Sequence, residues 1–171
     1  MQFYKCFNKG LINNHNRKYE IGQLYYANGN IRYGPDGYGF HVAKRLEDTL
    51  RFFAIREGNR IYPNDNIDIA LVDCYGKYDE IKDSLESRYS GDHDMFAYEY
   101  MFIKKILSRE EIIDYAFNLY EERLKKFIMY YKLNDYEKTA FIKKYQKNLN
   151  VLYYISYYQD NEKDIIKVRK K

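Results

Sequence analysis

A single histidine, His41, follows a glycine-rich aromatic corner in the stretch GYGFHVAKRLEDTLRFF, residues 37–53. An imidazole placed there can serve as a general base or orient a substrate. Either role needs an acid or nucleophile beside it, and the flanking sequence supplies none. A lone histidine at a strand end more commonly bonds a neighbouring backbone carbonyl, so His41 reads first as a structural residue of the corner. Glu99 lies in AYEYMF, a carboxylate within an otherwise apolar strand. Burial there would raise its pKa and let it stabilise a cationic intermediate. The plainer reading turns Tyr98, Tyr100 and Phe102 to the core and Glu99 to water. Asp92, His93 and Asp94 form a loop with hard-cation character, but a calcium loop needs oxygen ligands at regular spacing with a distant bidentate carboxylate, and transition metals need more histidines. No metal site is expected.

The basic positions suggest binding rather than chemistry. Lys125 and Lys126, and Lys143, Lys144 and Lys147 around Tyr145, could meet phosphates or an acidic partner, with the aromatic ring stacking or filling a pocket. Acids at Glu121, Glu122 and Glu137 interrupt the charge, as on an ordinary solvated helix face. Nothing matches a phosphate-cradling loop, a dinucleotide glycine motif, a nucleophile elbow or a zinc signature. Cys6 and Cys74 stand alone in strand-like stretches, so both read as buried free thiols.

The elements that must position these residues fall into two textures. Residues 3–7 (FYKCF) read as a strand. Asn28 and Gly29 between two aromatic pieces predict a type I′ hairpin with arms at 24–26 and 31–33. A short strand at 40–42 leads to a helix over 46–55, with Leu46, Thr49, Leu50 and Phe53 on one face and Glu47, Asp48 and Arg51 toward water. NIDIALVDC alternates as a strand, residues 77–94 read as loop with a helical turn, and 96–107 return to strand character. At Ser108 the pattern changes, because Ser108 with Glu111 forms a capping box. Apolar residues from Ile113 to Tyr131 and from Phe141 to Ile155 then follow helical spacing. Asn134 with Glu137 repeats the cap, so the two helices form an antiparallel hairpin.

The expected architecture is α+β: a small, mixed, mostly antiparallel sheet domain over 1–107, a helical hairpin over 108–160 packed on it, and a frayed tail over 161–171. Composition agrees with a folded chain, being 46% hydrophobic and 32% charged over 171 residues. Its unusual feature is 22 Tyr and 10 Phe with no Trp, a bias suited to half-covered faces and binding surfaces. Charge divides with the texture. Residues 1–103 carry 13 Lys and Arg against 15 Asp and Glu, whereas 104–171 carry 16 against 10. No apolar run approaches the roughly 20 residues that span a bilayer, and MQFYKCFNKG lacks the layout of a secretion signal. The expected location is the cytoplasm, without a membrane partner.

Taken together, FYKCF, YEIGQLYYANGNI, GFHVAKRLEDTLRFF, NRIYPNDNIDIALVDC and FIKKILSREEIIDYA resemble a scattered family of small uncharacterised proteins of bacteria, phages and large DNA viruses. Tyr4, Lys5 and Phe7 match its opening, Tyr19 and Gly22 the approach to its hairpin, and Gly39, Phe40 and His41 its corner. The family form often carries a cysteine shortly after the histidine, where this chain has Val42 and Ala43. The pattern is also similar, more faintly, to ADP-ribosyltransferases. That similarity implies NAD binding near the first strand and transfer assisted by a late glutamate, with Lys5, His41 and Glu99 as the matching positions. Lys5 replaces the usual histidine or arginine.

These readings lead to two expectations. The first is an intracellular accessory binding protein of phage, viral or mobile-element type. It would use no cofactor and act on a host macromolecule, for example as an anti-CRISPR-like inhibitor of a defence system. A protein partner is expected first, nucleic acid or a nucleoprotein second, and a homodimer is compatible with the long apolar stripes. The alternative is an ADP-ribosyltransferase-like enzyme, or its inactive relative, using NAD.

Overall fold

The strands at the two ends of the sheet find each other. In the computed structural model, which describes residues 1–34, 36–80 and 95–160, the chain forms β1 (Gln2–Asn8), β2 (Leu24–Tyr26), β3 (Phe40–Ala43), α1 (Leu46–Leu50), a 3-10 turn (Arg51–Phe53), β4 (Ile55–Glu57) and β5 (Arg60–Tyr62). Then follow β6 (Ile67–Glu80), β7 (Met95–Ile106), α2 (Arg109–Phe117), α3 (Glu121–Tyr130), α4 (Asp135–Lys144), α5 (Leu149–Tyr154) and a π-helical turn (Ile155–Gln159). The class is α+β with antiparallel strand pairing. Two compact units arise, one from Met1–Thr49 with Asn66–Leu107, the other from Leu50–Asp65 with the chain from Ser108 onward. The segment 50–65 belongs with the helices, and the chain last passes between the units at 107/108.

In the first unit β1 pairs with β3 and β6, β3 with β7, and β7 with β6. The hydrogen-bonded circuit β7–β3–β1–β6 therefore closes on itself as a small barrel, with β2 extending one edge of β7. Closure removes free edges and forces the inward side chains to fill a narrow interior. Phe3, Phe7, Phe40, Val42, Ala70, Val72, Cys74, Phe96, Tyr98, Met101 and Ile103 do so. The outward residues Cys6, Ala43, Ile67, Ile69, Met95 and Ala97 are buried as well, which explains why NIDIALVDC is apolar at both alternating positions.

Two bulges adjust the circuit. β6 carries an extra residue between Tyr75 and Tyr78, at Gly76 with φ +81. Opposite it β7 changes phase, so Tyr98 and Met101 both face inward, and Tyr100 and Phe102 are only half-buried. Strict alternation had predicted Tyr98, Tyr100 and Phe102 together in the core. Three further expectations are corrected. β2 pairs with β7 and not with 31–33, and Asn28 accordingly lacks the positive φ that a type I′ turn requires. Residues 77–80 continue β6 and are not loop. The helix expected over 46–55 stops at Leu50, and Glu47 and Asp48, expected in water, are buried in its first turn. The expectations for 81–94 and 161–171, Asp92–His93–Asp94 and the frayed tail among them, lie outside the described residues.

Among its described residues the second unit holds four short helices where a two-helix hairpin is expected, since the chain breaks at 118–120 and 145–148. Both capping boxes form as the sequence predicts, Ser108 with Glu111 and Asn134 with Glu137. Leu124, Phe127, Ile128, Phe141, Val151 and Ile155 make its core, with Phe117 stacked on Phe141 at 4.2 Å. Arg109 ties the pieces together. Its guanidinium grips both Glu137 oxygens at 2.6 and 2.8 Å, donates to Asp65 at 2.8 Å and reaches the Lys132 carbonyl at 2.9 Å. That planar fork is why 50–65 joins the helices.

Gln159 closes the unit. Buried in the π turn, its amide donates to the carbonyls of Ile128 (2.6 Å) and Tyr131 (2.9 Å) and accepts from the Leu133 N–H (2.8 Å). The turn widens by one residue per bond so that this side chain reaches the end of α3. Gln159→Leu keeps the volume but strands a buried N–H and two carbonyls, which should lower stability by about 2–4 kcal/mol. Urea unfolding should show a reduced midpoint at unchanged slope.

Candidate functional site

The glycine-rich corner is held by His41 from β3 and Asp79 from β6, which both lie in the row that passes through Ala97 of β7. His41 Nε2 accepts the Gly34 N–H at 3.2 Å, and its ring also bonds the Arg32 backbone. Asp79 accepts the Tyr33 N–H at 2.8 Å, and Tyr33 meets the imidazole edge-on at 4.9 Å. The loop can lie this close because Gly39, at φ +115, has the Ala97 Cβ and Tyr98 carbonyl 3.2 Å from where a Cβ would stand. Burial first, then the nearby Lys5 charge, lowers the His41 pKa to about 4. The imidazole is neutral at pH 7, one nitrogen accepting from backbone as the corner requires.

Lys5 shares the inward face of β1 with Phe3 and Phe7, opposite Ala70. Part of its stem is accessible, but the ammonium donates to the His41 carbonyl at 2.7 Å and lies 5.5 Å from the Phe7 ring. Desolvation lowers its pKa to about 8, with Cys74 and Cys6 opposing the fall. Both thiols are free and buried, as expected, and burial pushes the Cys74 pKa up to about 12. Glu99 bonds the Lys77 N–H at 3.0 Å over the Gly76 bulge. Thus Lys5 bonds His41 at its backbone carbonyl and acts on the imidazole only by its charge: its amine points into the barrel while the imidazole holds the loop outside. Glu99 is committed to the β6 bulge.

The basic positions divide in two. Lys125 is largely covered, paired with Glu122 at 2.8 Å and set 5.2 Å over the Tyr154 ring, while Lys126 is half-buried. Lys143, Lys144 and Lys147 are exposed around half-buried Tyr145 at the end of α4. Lys144 is engaged as well, donating to the Phe117 carbonyl and lying over the Phe117 and Tyr145 rings. Among the described residues no group of three His, Cys, Asp or Glu side chains could hold a metal ion, and no helix is long and apolar enough to cross a membrane.

A cleft of about 390 Å³ opens within the second unit. One side is Asn59 with the whole of β5, the other is Tyr153, Ser156, Tyr157 and Tyr158. Tyr153 and Tyr157 stack at 5.8 Å and are 61% and 49% exposed, so their rings form an accessible aromatic wall. Among the described residues no carboxylate lines the cleft. The sequence signal for its near side is Gly58–Asn59, a two-residue turn between IRE and RIY, with Gly58 at φ +58 as a type II′ hairpin requires. Comparison with protein-family models, with curated proteins and with solved structures returns no match.

Two titrations follow from the barrel. Both groups have folded pKa values below their unfolded ones, so each favours folding when neutral. For Lys5, stability is full above pH 10.5, falls as pH drops to about 8, and stays low below that. Lys5→Met should therefore raise stability at pH 7 by about 1–3 kcal/mol and flatten the slope between pH 8 and 10. For His41, the loss runs from pH 6.5 down to about 4. NMR should show its imidazole still neutral at pH 5.5, and His41→Ala should lower the melting temperature.

Proposed function

We propose that this chain is a binding protein whose barrel is a scaffold and whose helical unit presents the binding surface to a protein partner. The observation that carries this reading is the tyrosine-walled cleft: four tyrosines and an arginine around an accessible concavity, with no acid among the described lining residues. Tyrosine and arginine give much contact area and hydrogen bonding for little lost conformational freedom, which is why they dominate interface anchors. The separate commitments of these side chains, Lys5 to a carbonyl inside the barrel, His41 to the corner loop and Glu99 to the β6 bulge, favour binding over NAD-dependent transfer, since catalysis requires reacting groups to converge. The expected role against a host macromolecule in phages or viruses rests on the sequence resemblance and is part of this proposal.

The test uses the intact chain as bait, with retained proteins identified by mass spectrometry and their affinities measured individually. Tyr153→Ala with Tyr157→Ala should weaken a true partner about tenfold or more, the scale of an aromatic anchor. Lys143→Glu with Lys147→Glu should change affinity only through its salt dependence. Equal binding by the tyrosine variant would move the interface elsewhere. Nicotinamide release from labelled NAD that Glu99→Gln abolishes would establish the enzyme instead.

A further inference from the structure

β5 lines the cleft with consecutive residues, Arg60, Ile61 and Tyr62, and no residue of β4 joins them. The face of a two-stranded ribbon would present alternate residues of both strands. Consecutive residues of one strand mean that the cleft runs along the strand's outer edge. The register supports this. Around the two-residue turn at Gly58–Asn59, Glu57↔Arg60 and Ile55↔Tyr62 are the hydrogen-bonded pairs, and Arg56↔Ile61 is the pair between them. The Ile61 N–H and C=O therefore point away from β4, toward the cleft, and no other partner for them occurs among the described residues. Arg60 is exposed and makes no ion pair among the described residues.

We propose that the cleft takes an extended, acidic peptide segment as a third strand on β5, seated between that edge and the tyrosine wall. This deepens the protein-partner reading and rests on it. Main-chain bonds to Ile61 would fix the direction and register of the segment. Alternate side chains of an added strand point to opposite sides, so an apolar or β-branched residue would lie on the Tyr153–Tyr157 rings while a carboxylate meets Arg60. Charge decides the acidic preference, because the described lining residues offer a guanidinium, hydroxyls and an amide, and no carboxylate is among them. Three strand residues limit the segment to about three or four ordered residues, consistent with a cleft of about 390 Å³.

The experiment selects a displayed library of random peptides, each about ten residues long, against the full chain. Selected peptides should share an Asp or Glu beside an apolar or β-branched residue. N-methylation of the backbone nitrogen that faces Ile61 should weaken the best of them about tenfold, the effect of one net hydrogen bond. Arg60→Glu, an exposed change that leaves the fold intact, should turn the selection toward Lys or Arg at the same peptide position. Peptides whose affinity is indifferent to N-methylation and to Arg60→Glu would overturn the proposal, as would a library yielding no binder. If oligo-dT binds with dependence on Tyr157 while no peptide does, the cleft is a nucleic-acid site. In each such case a bait partner still captured by the intact chain leaves the protein-partner reading standing, so the two failures are distinct.

Discussion

β7 is bonded along both of its edges, and the first unit depends on that arrangement. Its N-terminal half pairs with β3 and its next residues with β2 on one side, while β6 runs along the other. With β1 joining β3 to β6, no strand of the circuit can shift register without breaking two ladders. The Gly76 bulge is the local adjustment that lets a long β6 follow this closed path. Closure also leaves Lys5 on an inward face, and the fold answers with a carbonyl acceptor, an aromatic ring and a lowered proton affinity. His41 is fixed by the same geometry, because the residue opposite Ala97 is the one that can hold the crossing loop.

What the sequence announces here is what short-range physics decides. The strands at β1, β3, β6 and β7, the two capping boxes and the free thiols depend on alternation, on side chains three residues apart and on isolated cysteines. The predicted hairpin at Asn28–Gly29 fails because β2 gains more by extending β7, which lies some seventy residues on and is invisible to local turn rules. The helical stripes were legible as buried faces but not as broken helices. Apolar spacing continues through 118–120 and 145–148 because both sides of each break pack on the same core. Glu47 and Asp48 depart from the helical pattern for a related reason: a helix of one turn has too little length to keep a solvent face.

The cleft lay beyond reach of any single stretch. Its near side, the Gly58–Asn59 hairpin, carries a readable turn signal, and its far side is a run of tyrosines that composition makes conspicuous. Their meeting depends on Arg109 and Asp65, on Asn64 donating to the Tyr130 carbonyl at 2.9 Å, and on Gln159 drawing the last turn onto α3. None of these contacts is implied by periodicity. The Lys143, Lys144 and Lys147 cluster is visible in the sequence as charge, whereas an open strand edge appears only when the neighbouring strand is known.

The chain passes from one unit to the other three times, at 49/50, 65/66 and 107/108. On the ribosome, residues emerge in order, so the β4–β5 hairpin leaves the tunnel well before Arg109, the residue that anchors it. The barrel at that moment still lacks β7. Two unfinished cores thus coexist on the nascent chain until translation moves past the third crossing, exposing strand edges together when aggregation and proteolysis compete with folding. The barrel gains its last strand at Ile106, whereas the helical unit waits for Gln159, and no single cut of the polypeptide separates the residues of one unit from those of the other.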